Sequence, residues 1–324
     1  MKTIISIGDF IDSYHKVRLN DFRFLLNRLI GVTIESKVKR TWSYSDDTPS
    51  EWWIIPKIHQ RWNRLITGDP NQKYSDYLIK TYFQDRNNIR LLSPGCGVGD
   101  KEIAFAKYSK VELIEAFDIS EKNINKANEK KSKYKYDNIN FFVGNLYKFD
   151  FGKKQYDMVM FDSSLHHFDK IEEILEKIKI SLKENGLFVI NEYVGPNLFQ
   201  WSNIQLKAAN NILKTLPIKY RKRKRSNSVK SKIYRPGTIR MFLSDPSEAI
   251  ASEDILPTIR KYFNVVEEKM FGGNILSILL KDISHNFLND DQETVDLLDR
   301  LFSIEDNFMK ENNCSDYIFG IYKK

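Results

Sequence analysis

The chain has 324 residues, 41% of them hydrophobic and 29% charged, which fits a folded protein and leaves more length than one doubly wound sheet needs. A formal net charge of +8 favours anionic partners without choosing among nucleic acid, sugar phosphates and membranes. The two cysteines, Cys96 and Cys314, exclude a disulfide framework or a zinc cluster and fit a reducing compartment. No apolar run approaches a membrane span, and the one in residues 1–9 is too short for an export signal, so a cytoplasmic location is expected.

Residues 1–85 precede the first apolar strand and are rich in aromatics and Arg. Phe22, Leu25, Leu26, Leu29 and Ile30 recur at helical spacing, and Tyr74, Tyr77, Leu78 and Ile79 do so again. Between them, the stretch containing Trp52, Trp53 and Trp62 predicts a helical cap over the open end of a sheet, its rings serving as core or stacking on a substrate. Apolar strands at 89–92, 111–117, 139–143, 156–161 and 186–193 then alternate with helices near 98–107, 121–133 and 170–182. That rhythm argues for a parallel sheet covered on both faces.

The alternation breaks after residue 195. A helix over 198–213 leads to the basic run Lys219-Tyr220-Arg221-Lys222-Arg223-Lys224-Arg225, which is either a solvated loop or a grip on substrate phosphates. Asp245-Pro246-Ser247-Glu248 reads as a helix start, with Asp as N-cap and Pro at the first helical position. A sixth strand at 265–270 follows, then a helix carrying Ile275, Leu279, Ile283 and Phe287, a helix over 294–310 and a seventh strand at 316–322. The expected organisation is a helical cap over 1–85 and a core over 86–324, with a substrate-capping insertion at about 195–245.

The most informative stretch is Gly95-Cys96-Gly97-Val98-Gly99, between the first strand and a helix, with Asp118 at the tip of the second strand. Glycines let main-chain N–H groups approach a ligand, and a carboxylate about 20 residues on is where such folds meet a ribose. A dinucleotide fingerprint would need glycine at Asp100, and a P-loop would need Gly-Lys-Ser/Thr where Asp100-Lys101-Glu102 stands. Asp100 would also repel a pyrophosphate.

The spacing resembles the first motif of the class I S-adenosylmethionine (SAM) dependent methyltransferases, and the resemblance continues in register over residues 89–193. Asp118-Ile119-Ser120 is similar to the ribose-binding acid segment, and Gly144-Asn145-Leu146 to the segment that meets the adenine amino group. Asp162-Ser163-Ser164-Leu165-His166-His167-Phe168 looks like the loop beneath the methionine half of the cofactor. The family implies an α/β fold, a Rossmann-like seven-stranded doubly wound sheet that is mostly parallel with its last strand antiparallel. It implies SAM as cofactor, held by Ser93, Gly95, Cys96, Gly97, Gly99, Asp118, Ile119, Gly144, Asn145, Leu146, Asp162 and Ser163. Ser93 stands where the family usually has Asp or Glu, so another group is needed there, and Arg61 is a candidate for the cofactor carboxylate.

Methyl transfer from a sulfonium needs an aligned nucleophile and removal of its proton, and no metal. His166, His167 and Glu192 follow the fourth and fifth strands and are the candidate bases, the histidines by their ordinary pKa of about 6.5. The chain looks like a bacterial stand-alone methyltransferase acting on a small molecule or a glycan precursor, with oxygen as acceptor. Two alternatives remain: an RNA or DNA methyltransferase, against which stand the enclosed site and Asp162-Ser163-Ser164-Leu165 in place of a base-amine motif, and a non-catalytic SAM-binding partner.

Overall fold

Strands β1 (Ile89–Pro94), β2 (Val111–Asp118), β3 (Ile139–Val143), β4 (Tyr156–Asp162), β5 (Leu182–Tyr193), β6 (Asn264–Gly272) and β7 (Tyr317–Lys323) form one sheet in the order β3-β2-β1-β4-β5-β7-β6. The computed structural model describes residues 2–11, 50–224, 226 and 228–324; the helix expected at Phe22–Ile30 and the end of the basic run at Arg225 lie outside them. β1 to β5 pair in parallel, and β7 runs antiparallel to both of its neighbours, as expected for this class.

The central strands read as continuous apolar runs because both faces are covered. Leu91, Met158, Met160 and Val189 pack against α1 (Pro56–Thr67), α2 (Tyr74–Tyr82), α3 (Asp100–Ala106) and α4 (Glu121–Tyr134). On the other face, Leu92, Val159, Phe161, Phe188 and Ile190 meet α5 (Ile171–Ser181) and α8 (Ile255–Tyr262). A third cluster joins Trp52, Ile55 and Ile58 to α6 (Asn203–Thr215), α9 (Leu276–Leu280) and α10 (Gln292–Asn312). From β1 the chain moves outward through β2 and β3, then returns to β4 on the other side of β1. Ligands in open α/β sheets bind beyond the strand carboxyl ends at such a reversal.

Three local expectations are corrected. Ile66, Leu78 and Ile79 of α1 and α2 pack on the sheet face, so this part of residues 1–85 is a covering layer and not a cap on the open end. No helix starts at Asp245: α7 (Thr238–Ser244) ends there, and Asp245 Oδ1 accepts from Ser247 N–H at 2.9 Å and from Ser247 Oγ–H at 2.6 Å. That turn uses the side-chain chemistry of an N-cap. The helix read through Phe287 stops at Leu280, where the buried Lys230 ammonium caps the carbonyls of Ile278, Leu279 and Lys281 and Asp282 adopts a φ of 67°.

Candidate active site

The glycine turn has φ values of 70°, 54° and 77° at Gly95, Gly97 and Gly99, a region costly to side chains. The reasons for glycine differ along it. A Cβ at Gly99 would lie 2.6 Å from the Phe141 ring and 2.9 Å from Ala127, so Gly99 lets α3 start against β3 and α4. At Gly97 a Cβ would meet nothing within 4 Å, and this side of the turn faces a cavity of about 640 Å³.

Gly95, Cys96, Gly97, Asp118, Ile119, Gly144, Asn145 and Leu146 line one end of that cavity, and Asp162 and Ser163 its floor. Asp118 is oriented by the turn itself, accepting from Gly97 N–H at 3.0 Å and Ser120 N–H at 2.8 Å. Asn123 Nδ2–H reaches Oδ1 as well, at 3.5 Å, so one lone pair, on Oδ2, remains on its carboxylate. Asn145 Oδ1 accepts from Tyr147 N–H at 3.0 Å, which fixes the bend after β3. Asp162 Oδ2 accepts from Tyr74 O–H at 2.6 Å and Asn191 Nδ2–H at 2.8 Å. Burial, and then the charges of Glu102 and Asp118, push the Cys96 thiol pKa well up.

Ser93 and Gly99 do not line the cavity. Ser93 is buried and donates to Glu102 Oε1 at 2.5 Å, while Glu102 Oε2 is buried with no hydrogen-bond partner among the described residues. Burial pushes the Glu102 pKa up to about 7. The carboxylate absent from position 93 is thus present beneath the turn, on the first helical turn after Gly99, where Asp100-Lys101-Glu102 was weighed only against a phosphate loop.

Arg61 is corrected more sharply. It is 2% exposed and lies away from the cavity, ion-paired with Glu305 at 3.1 Å and Asp306 at 2.5 Å and donating to the Phe271 carbonyl at 3.1 Å. Its Glu305 partner accepts the main-chain N–H groups of Gly273, Ile275 and Leu276, so this Arg anchors α1 to α10 and the end of β6. The pattern Arg-Trp-Asn-Arg on a helix carries no sign of which arginine turns inward. Trp52 and Trp62 are packed edge to face at 4.9 Å in the core, and Lys219 and Arg223 of the basic run pair with Glu293 and Asp282, away from the cavity.

Of the three expected bases only His167 lines the cavity. Glu192 is fully buried; its Oε1 accepts from Ser164 and Leu165 N–H at 2.5 and 2.6 Å, and its Oε2 meets His166 Nδ1 at 2.6 Å. Glu192 and His166 therefore hold the loop after β4 in place and do not face the cavity. Burial lowers the His166 pKa, but the Glu192 charge and hydrogen bond outweigh it and the net shift is upward. His167 is shifted down, by burial and then by the charge on His166. Ser247 Oγ–H is directed at Asp245, so the contact of His167 Nδ1 with Ser247 Oγ at 3.1 Å assigns the proton to Nδ1 and the lone pair to Nε2. Ser164 and Phe168, from the loop expected beneath the methionine half, also line the cavity, and so do Tyr147, Pro246, Ser247 and Ile250, which were not foreseen. Pro246 to Ile250 follow the insertion, and their helix-like sequence concealed a wall.

A family model described as a methyltransferase domain matches residues 85–261. The chain belongs to the methyltransferase domain family. Over those residues it carries a methyltransferase domain of the class I, SAM-dependent fold, in agreement with the glycine turn and the sheet order. The methyltransferase is 24% identical over 175 residues to sterol 24-C-methyltransferase of Debaryomyces hansenii, covering 51% of this chain and 46% of that protein. The sterol 24-C-methyltransferase of Saccharomyces cerevisiae is 28% identical over 181 residues, covering 52% and 47%. The chain thus spans about half the length of the curated relatives it matches. Among solved structures, phosphoethanolamine N-methyltransferase 2 of Haemonchus contortus aligns with a TM-score of 0.51 at 17% identity, covering 91% of this chain and 60% of that one. Geranyl diphosphate C-methyltransferase of Streptomyces coelicolor A3(2) aligns at 0.50 and 12% identity, covering 90% and 98%. These two likenesses concern the fold. No helix of the described residues is long and apolar enough to cross a membrane.

The residues present fit the cofactor. The turn is open at Gly97, the Asp118 carboxylate keeps a lone pair on Oδ2 and can exchange the long Asn123 contact for a second hydroxyl, and Asp100 beside them disfavours a phosphate. When bound, SAM supplies an electrophilic methyl group on a sulfonium.

Proposed function

We propose that the methyltransferase transfers a methyl group to an oxygen of a small, largely apolar acceptor. The observation that carries this reading is the single cavity that joins the glycine turn and Asp118 to a second end walled by Phe168, Pro246, Ile250 and His167. Its size is that of pockets that enclose small ligands, about 300–1,000 Å³. In this reading Gly97 and Asp118 hold the nucleoside, Asn145 and Leu146 the base, and Asp162 and Ser163 the methionyl portion. The apolar wall excludes water, and His167 Nε2 takes the proton from the acceptor oxygen. A glycan precursor, polar throughout, fits the apolar wall less well than such an acceptor, and RNA or DNA fits it poorly, because the wall residues flank the acceptor end.

A second reading, methylation of a lipid at carbon, is favoured by the sterol methyltransferases among the relatives. Methyl-labelled SAM offered with hydroxylated prenyl and sterol compounds, saccharide precursors and RNA separates these. The expected result is label in a solvent-extractable product as an ether, and a His167→Asn variant that loses roughly 10²–10⁴ in kcat with little change in cofactor affinity. Label on carbon selects the second reading, and label in RNA overturns both.

A further inference from the structure

Beside the acceptor end of the cavity, His167 belongs to a group of side chains whose other members, His166 and Glu248, do not line it. His166 and His167 follow β4, Glu248 follows α7, and one ring nitrogen from each histidine and a carboxylate oxygen of Glu248 lie within 4.8 Å of one another. We propose that these three residues form a binding site for a divalent transition-metal ion of the zinc or cobalt type, which clamps the 245–250 turn onto the 165–167 turn.

The donor set is two imidazoles and one carboxylate, a combination that suits borderline ions and not magnesium or calcium. His166 Nε2 and Glu248 Oε1 are 3.7 Å apart, near the roughly 3.3 Å between ligand atoms of a tetrahedral ion. Both rings are already oriented from behind. His166 Nδ1–H donates to the buried Glu192 carboxylate at 2.6 Å, and His167 Nδ1–H to Ser247 Oγ at 3.1 Å, which holds each ring by its Nδ1 side. A carboxylate on the far nitrogen of a ligating histidine is the usual outer support of such sites, because it fixes the tautomer and raises ligand basicity. The two turns are also joined before any ion arrives, since Ile250 N–H donates to the His166 carbonyl at 3.2 Å. The site therefore asks for side-chain adjustment and no refolding. His166 and Glu248 are only 9% and 24% exposed at the side chain, unlike the solvated acids that gather on surfaces without an ion.

An ion there uses the His167 lone pair that the proposed base needs, so the loaded enzyme would be inhibited; that consequence rests on the proposed function, whereas ion binding does not. The test is titration of the chelator-treated full-length protein with Co²⁺ alone, read by visible absorption, and with Zn²⁺, read by calorimetry. One ion per chain is expected, with affinity reduced more than about 100-fold in His167→Ala and Glu248→Gln and about tenfold in Ser247→Ala. His59→Ala, in α1, should bind as the wild type does. Thermal melting shows whether each variant folds, and Glu248→Gln keeps the side-chain shape if the histidine variant does not. Absence of saturable Co²⁺ or Zn²⁺ uptake, or uptake that survives Glu248→Gln, overturns the site. Ion uptake without inhibition leaves the site standing and removes His167 as the base.

Discussion

The two ends of the cavity are built by different means. At the cofactor end, Asp118 is held by main-chain N–H groups from its own turn and from Gly97, and it keeps an open carboxylate on the cavity wall. At the acceptor end, Glu192 is fully enclosed and spends both oxygens on Ser164, Leu165 and His166. One carboxylate is presented to a ligand and the other holds the loop that presents His167. The difference teaches that an acid at a strand tip is not a site residue by position; what it has left to offer after its internal partners decides.

The comparison is broken most directly at Glu192. Its replacement by Ala leaves the buried His166 Nδ1–H and two buried main-chain N–H groups without their acceptor, and should cost about 3–5 kcal/mol of stability, read as a lower urea midpoint. An unchanged midpoint would mean that Glu192 is no more committed to the fold than Asp118.

The cofactor end has a buried acid of its own, which sharpens the contrast. Glu102 has its folded pKa raised from 4.5 to about 7 by burial, so the folded state holds a proton that the unfolded chain releases. Its contribution is fully present below pH 4.5 and is lost as pH rises through about 7. Glu102→Gln keeps an acceptor for Ser93 and removes the titration. Relative to wild type, it should gain up to about 3 kcal/mol between those limits, a gradient that denaturation at several pH values would reveal. A flat difference would mean that the carboxyl is solvated in the working protein.

What could be read in advance follows the same division. Gly95, Gly97, Asp118 and Gly144 to Leu146 sit in contiguous strand–turn segments, where apolar periodicity fixes the strand end and so the residue that emerges from it. The five parallel strands were legible for the same reason, from one alternating rhythm, whereas the antiparallel last strand was expected from the family resemblance. Arg61 was misplaced because helical spacing does not tell an arginine aimed at solvent from one aimed at Glu305, 244 positions further along the chain. The wall at Pro246 to Ile250 was hidden because Asp245 makes the same side-chain bond in a turn that it would make as an N-cap. Glu102 was overlooked because its partner Ser93 is across the glycine turn and neither residue breaks the pattern around it.

The smallest expected effect probes the side of the comparison that faces the ligand. Asp118→Ala removes the carboxylate that keeps a lone pair after Gly97, Ser120 and Asn123 are satisfied, and should weaken S-adenosylhomocysteine binding by roughly 1.5–3 kcal/mol, the scale of hydrogen bonds to a charged group. Calorimetric titration measures it, and denaturation of the same variant supplies the control, because solvent on the cavity side can satisfy the released N–H of Gly97 where nothing can reach those that Glu192 holds. Affinity lost without a matching loss of stability places Asp118 on the ligand side. Equal affinity in variant and wild type would give Asp118 the same internal task as Glu192, and the nucleoside would then have to be held by Gly97 and Asn145 alone.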